Sequence, residues 1–319
     1  MTVVRPKMDW LARHGDEFDL LVIGSSRVQH QFIPALFDHV AAENGRPVRS
    51  GNMGIAAMFP PEDAYLLEQI LRRPHRRLRW VLIELSQFTQ QVDQSIGASN
   101  RMDYWHDSRR MWLFTRRSVA DFQNTDWKRA DSVEKRTELF SKLLTNWSSN
   151  FGAFLRRSTN LGLGAQLLTE RLGDRKRHSK FDNGGPKGDG WVDPGEGEPM
   201  DAGMRADYDR DFAALRATSR GHLEDPVAET SLRGSIERLR AEGIEPILFL
   251  PPGLDRTQFW PQRLLESVTL LDISEPERYP ALYDPANRRE GTHLNLPGSA
   301  LYTRELALRF IEHTRGLPR

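Results

Sequence analysis

Five short segments punctuate the chain, at 18–23, 48–51, 80–85, 244–250 and 268–273; 48–51 is a short candidate strand and the other four are largely apolar runs. Each is four to seven residues long, the length of a strand. The third, Trp80-Val81-Leu82-Ile83-Glu84-Leu85, is nearly continuous in apolar residues rather than alternating. That pattern is expected of strands buried on both faces of a parallel sheet. Helical periodicity fills the intervals. Pro34 opens a pattern over 34–44 that Gly45 stops. Ala64, Leu67, Ile70 and Leu71 fall on one face of 61–72. A third pattern covers 230–241 and ends at Gly243, and a fourth covers 297–313 with Pro297 in its first turn. Strands alternating with helices predict an α/β protein of three layers, with a central parallel sheet of about five strands.

The alternation stops after the third run. From 87 to about 226 no strand-helix rhythm is visible, and it resumes afterwards. The sequence therefore divides into 1–86 as the first part of the α/β domain, 87–226 as a largely helical insertion or cap, and 227–319 as the second part. Helical patterns are expected at 133–147 and 151–172. The stretch 182–203, rich in Gly, Asp and Pro, reads as a long loop and as the first site of proteolytic cleavage. Early in the insertion, within the aromatic and charged stretch 101–107, Tyr104-Trp105-His106-Asp107 is weighed as a wall over the substrate site or as packing within the cap.

Composition narrows the function. Lys and Arg number 45 against 44 Asp and Glu, a formal net charge of +1, so charge gives no argument for a nucleic-acid partner. With no cysteine, disulfides, thiolate nucleophiles and Cys-ligated metals are excluded. The acids of 182–203 lack the spacing of a calcium loop, and no metal is expected. No apolar run reaches the ~20 residues of a membrane span, and residues 1–16 contain no signal-peptide apolar region. As written, the chain is expected in the cytoplasm; with a longer N-terminus it would be placed in the periplasm or at the cell surface.

Three short motifs carry candidate chemistry. Gly24-Ser25-Ser26-Arg27 follows the first strand, where open parallel sheets bind ligands. A serine there serves either as a nucleophile facing a cleft or as a helix cap. Gly51-Asn52-Met53-Gly54 follows the second strand. Its glycine N–H and asparagine amide suit an oxyanion hole, and the same residues also make an ordinary turn. Glu290-Gly291-Thr292-His293-Leu294-Asn295 precedes the last helix. A carboxylate three residues before a histidine can orient the imidazole as a general base; the bland reading is a surface loop.

Taken in order, the three motifs resemble the blocks of the SGNH/GDSL hydrolase superfamily. Gly24-Ser25-Ser26 is similar to its first block, usually Gly-Asp-Ser, and Asn52-Met53-Gly54 to its second. The stretch from Glu290 to Asn295, with Pro297-Gly298-Ser299-Ala300, is similar to its last block, usually Asp-x-x-His-Leu. The resemblance covers about 18–85 and 230–314 and leaves the insertion out. It implies a flavodoxin-like SGNH hydrolase fold with Ser26 as nucleophile, His293 as base and Glu290 or Asp284 as the orienter of the imidazole. It also implies N–H groups of Ser26 and Gly54 in the oxyanion hole, with Asn52 as a further donor. Arg27, beside the serine, and Tyr104, Trp105 and His106 of the insertion are the candidate substrate contacts. No cofactor is implied. The chain departs from the family twice: Glu290 stands for the usual Asp, and Glu84-Leu85-Ser86-Gln87 stands where the third block, Gly-x-Asn-Asp, supplies an oxyanion donor, leaving Ser86, Gln87 or Asn52 for that task. Divergent members with a Gly-Ser-Ser-Arg start look like proteins of bacterial polysaccharide modification. The implied activity is ester hydrolysis or O-acyl transfer on an acylated small molecule or carbohydrate, beside a membrane acyltransferase or polysaccharide-synthesis partner. The other implied reading is a non-catalytic carbohydrate-binding or assembly protein on the same fold.

Overall fold

The structure, a computed structural model, describes residues 4–86, 104–124, 132–159, 188–195, 200–217 and 221–316. The chain forms two compact units, one of Phe88–His178 and the other of Thr2–Gln87 with Ser179–Arg319. The expected insertion of 87–226 therefore reaches too far. Its last third belongs with the sheet, because residues 188–194 and the helix Ala202–Ala217 bond and pack there.

The larger unit is an α/β sandwich. Five strands, β1 (Leu20–Ile23), β2 (Ser50–Asn52), β3 (Trp80–Glu84), β5 (Glu245–Leu250) and β7 (Thr269–Asp272), form one sheet in the order β2-β1-β3-β5-β7. Every pairing in it is parallel. Counting only strands of this sheet, the order is 2-1-3-4-5, that of flavodoxin-like folds. A separate parallel pair joins β4 (Gly221–Leu223) to β6 (Thr257–Phe259). Helices of this unit are α1 (Val4–His14), α2 (Ser26–Gln31), α3 (Pro34–Glu43), α4 (Glu62–Ile70), α7 (Ala202–Ala217), α8 (Pro226–Ala241), α9 (Gln262–Leu265) and α10 (Leu296–Thr314).

The apolar runs explain the sheet. Leu20, Val22, Leu82, Ile247 and Phe249 are fully buried, and α3 and α10 pack over them through Phe37, Val40, Leu306 and Phe310. Phe310 meets Trp80 edge-on, with ring centroids 5.4 Å apart. On the opposite face α4 and α8 supply Leu67, Ile70, Ile236 and Leu239. Truncating one such aromatic costs about 3–5 kcal/mol. Because all five strands run the same way, their carboxyl ends share one edge, which carries Asn52 and Glu84 at the ends of β2 and β3 and Ser25 and Gly253 in the turns that follow β1 and β5.

The smaller unit contains α5 (Ser108–Asn124) and α6 (Val133–Ser158). They lie antiparallel: Phe122 faces Phe140, and Trp147 Nε1 donates to Thr115 Oγ1 at 3.2 Å. The two helical patterns expected at 133–147 and 151–172 are one continuous helix that ends at Ser158 with Thr159 as its C-cap; 160–172 lie outside the described residues. Among the described residues no helix is long and apolar enough to cross a membrane.

Candidate functional site

The two serines of the first motif divide the two tasks weighed for it. Ser25 is the N-cap of α2, its Oγ accepting from the Arg27 N–H. Ser26, the first residue of that helix, is left free of capping. Its Oγ lies 2.7 Å from His293 Nε2. The other ring nitrogen, Nδ1, meets Glu290 Oε1 in a very short contact. Since the carboxylate only accepts, Nδ1 carries the proton and Nε2 presents its lone pair to the serine hydroxyl. The side chains of His293 and Glu290 are 31% and 35% exposed, so a ligand can reach them.

The loop before α10 builds this pair locally. Thr292 donates to Glu290 through its N–H at 2.8 Å and through its hydroxyl at 2.8 Å. Burial pushes the Glu290 carboxyl up, but the hydrogen bonds from His293 and Thr292 outweigh it and bring its pKa down to about 2. Arg288 fixes the loop from beneath. Its guanidinium donates to the carbonyls of Leu282 and Gly291, both at 2.7 Å. It lies between Tyr208 and Tyr283, 5.6 and 5.4 Å from the ring centroids. Asp284, the other candidate orienter, is committed elsewhere: it caps the short 3-10 turn Pro285–Asn287 by accepting from Ala286 N–H at 2.9 Å.

The third strand ends on a second feature of the site. Glu84 Oε2 accepts from Ser25 N–H at 2.6 Å, and Oε1 accepts from Ser25 Oγ at 3.1 Å and Arg27 Nε at 2.7 Å. Arg27 Nη2 also lies 2.6 Å from Oε1. Arg27, expected against the substrate, instead has most of its guanidinium engaged by this carboxylate, with Asp255 3.8 Å from Nη1. Together they fix the serine turn to the end of β3.

The expected oxyanion donors are corrected in part. Gly54 N–H donates to Asn52 Oδ1 at 2.9 Å. Asn52 Nδ2 donates to the carbonyls of Val28 and Phe32 at 2.7 and 2.8 Å. Neither group is left for a ligand. A Cβ at position 54 would come within 2.3 Å of Gln29 N, so the glycine is required by close packing of this turn against α2. Ser26 N–H stands in the first turn of α2, where no carbonyl of the helix can accept it. Ser86 is half-buried beyond β3, and Gln87 lies outside the described residues.

Residues 188–195, read from sequence as part of a loose loop, form a strap across the turns that carry the site. Asn52 N–H donates to Asp189 O at 2.8 Å, and Val192 N–H to Gln29 O at 3.2 Å. Trp191 Nε1 donates to His30 O, His30 Nδ1 pairs with Val192 O, and Arg289 Nη1 donates to Pro194 O. Burial lowers the pKa of His30, and the nearby His293 acts in the same direction. The rest of the expected 182–203 loop lies at 182–187 and 196–199, outside the described residues, and at 200–203, where α7 begins.

The expected wall of Tyr104, Trp105 and His106 takes the other reading weighed for it. Trp105 and His106 stack at 4.6 Å, both rings meet Phe114, and His106 Nε2 lies 2.7 Å from Asn150 Oδ1. These rings are used in packing within the helical unit, and Tyr104 before them is half-buried. Among the described residues no cluster of His, Asp and Glu could hold a metal ion.

Sequence reasoning missed Lys7, Glu84, Arg288 and Thr292. Two had a signal: Glu84 is the one carboxylate in an otherwise apolar strand, and Lys7 lies on the face of α1 that carries Val4 and Leu11. Arg288 had none, since Arg288-Arg289 reads as surface charge. Compared with known proteins, the chain matches no family model and no curated protein.

Proposed function

We propose that the chain is a serine-dependent ester hydrolase or O-acyltransferase of the SGNH type, acting on an acylated carbohydrate or a similar ester. The observation that carries this reading is the hydrogen-bonded series Ser26–His293–Glu290 at the carboxyl edge of the sheet. Ser26 Oγ attacks the ester carbonyl while His293 Nε2 takes its proton. The imidazolium, held by Glu290, then protonates the leaving alcohol. Water or an acceptor hydroxyl attacks the acyl-serine next, with His293 again as base, and releases the acid or the transferred ester. Ser26 N–H, at the start of α2, is the backbone donor placed to stabilise the oxyanion. No metal or organic cofactor enters these steps.

A fluorophosphonate probe tests the reading. Wild-type protein should be labelled and Ser26→Ala should not, with the same far-UV circular dichroism for both. A second reading, a non-catalytic carbohydrate-binding or assembly protein, is favoured by one observation: Asn52 and Gly54 are bonded to the protein rather than open to an oxyanion. Folded wild-type protein that neither reacts with the probe nor turns over any acyl ester would decide for it.

A further inference from the structure

Lys7 is a buried ammonium that the proposed chemistry does not use. It is 1% exposed, on the inner face of α1. Its Nζ donates to the carbonyls of Gly54 at 2.5 Å and Asn52 at 3.0 Å, and lies 3.5 Å from Asn52 Oδ1. None of these three acceptors is a carboxylate. Burial disfavours the charged amine and lowers the Lys7 pKa to about 7, against the attraction of the Asp189 carboxylate, which acts to raise it. A methionine would fill the same space without that cost, so the amine is explained by the carbonyls it satisfies.

Those carbonyls belong to the turn on which the nucleophile helix rests. The Asn52 amide holds the carbonyls of Val28 and Phe32, and Ala56 N–H donates to Gln29 Oε1 at 2.7 Å. Gly54 packs directly on the backbone of Gln29. At six residues α2 is too short to hold its shape alone. Its first residue, Ser26, must stay within hydrogen-bond reach of a histidine 267 positions away in the sequence.

We infer that Lys7 is a positioning residue: its amine locks the 52–54 turn, and through it the helix that presents Ser26 to His293. The link to reactivity rests on the hydrolase reading, whereas the link to the turn and helix does not.

The test replaces Lys7 with Met in the full chain and reads two quantities. The first is the rate of Ser26 labelling by a fluorophosphonate, with kcat and KM on 4-nitrophenyl acetate. Labelling and kcat should fall about tenfold or more, because a displacement of ~1 Å at a reacting group costs up to about a hundredfold. KM should stay within about twofold, since Lys7 does not reach the ligand. The second is amide hydrogen exchange, which should rise in 26–32 and 52–56 and stay unchanged in α10. Exchange is informative even if the wild type proves unreactive: faster exchange confined to those segments then supports the positioning role while the hydrolase reading fails. Unchanged labelling together with unchanged exchange overturns the inference, as does a uniform rise in exchange across the sheet and α10. If Lys7→Met does not fold, Lys7→Gln, which keeps an N–H donor, takes its place with an intermediate loss expected. Failure of both to fold makes Lys7 a general stability residue and also overturns the inference.

Discussion

Gly54 and Asn52 are hydrogen-bonded to each other, backbone N–H to side-chain oxygen at 2.9 Å, within a turn that has no exposed surface at Asn52. The same asparagine closes the last turn of α2. A residue read from sequence as an oxyanion donor thus supports the helix that carries Ser26. The two roles differ in what mutation does.

Asn52→Ala leaves Gly54 N–H and the Phe32 carbonyl without their side-chain partner, while the Val28 carbonyl keeps the Phe32 N–H. Each buried backbone group left unpaired costs about 1–3 kcal/mol, so a loss of about 3 kcal/mol or more is expected. Urea denaturation measures it. A stability equal to wild type, with turnover alone reduced, would restore the oxyanion role.

Glu290→Gln should lower kcat by about 10³–10⁴-fold, because the amide no longer fixes the tautomer that leaves Nε2 free. Asp284→Asn should stay within about twofold of wild type, since asparagine caps a helical turn as well as aspartate does. Steady-state hydrolysis of 4-nitrophenyl acetate compares them. Equal losses in the two variants would show Asp284 acting on the imidazole as well.

The depressed pKa of Glu290 also sets a dependence of stability on acid. Its folded value, about 2, lies below the ordinary 4.5. The ionised carboxylate therefore contributes stability fully above about pH 4.5, and that contribution disappears as pH falls toward 2. The stability difference between wild type and Glu290→Gln should be constant from pH 5 upward and shrink through that window. Denaturant titrations at several pH values show the trend, and a difference that grows on acidification would contradict it.

The strap offers a matched pair of glycines. Gly188 and Gly190 both have positive φ, 67° and 83°, but only at Gly190 would a Cβ strike protein, 2.1 Å from Asn52 O. Gly188→Ala should cost the left-handed penalty alone, about 1–2 kcal/mol. Gly190→Ala adds displacement of a backbone carbonyl beside the site, for roughly 3 kcal/mol or more in total. Thermal unfolding of the two variants ranks them, and equal losses would mean that the strap is not seated on Asn52.

The sheet was legible because its strands are buried on both faces and announce themselves as short apolar runs: 18–23, 80–85 and 244–250 each contain a strand within one or two residues. Less legible were elements whose cause is tertiary. Helix α2 reads Ser-Arg-Val-Gln-His-Gln, six residues with little helical periodicity, and exists through its cap and its seat on Asn52. Asp189–Val192 looks like loop because its order comes from backbone bonds to Asn52, Gln29 and His30, which no local pattern encodes. The spacing Glu290-x-x-His293 was local and readable. That Ser26 stands opposite it follows from α10 packing back across the sheet onto α2 and α3, which brings the loop before α10 beside the end of β1. Arg27 misled because a guanidinium next to a nucleophile suits a ligand; its carboxylate partner lies 57 residues later, at the end of a strand that reads as plain core.

Glu84 receives both the N–H and the hydroxyl of Ser25, and this couples the identity of two positions far apart in the chain. Many residues that cap a helix would serve at position 25, aspartate among them. With a buried carboxylate already at 84, however, an aspartate at 25 would set two like charges within hydrogen-bond distance and remove the hydroxyl proton that now joins them. A carboxylate is tolerated at one of the two positions but not at both. Wherever this turn is kept, an acidic residue before the serine at position 26 should therefore accompany a neutral residue at the end of the third strand.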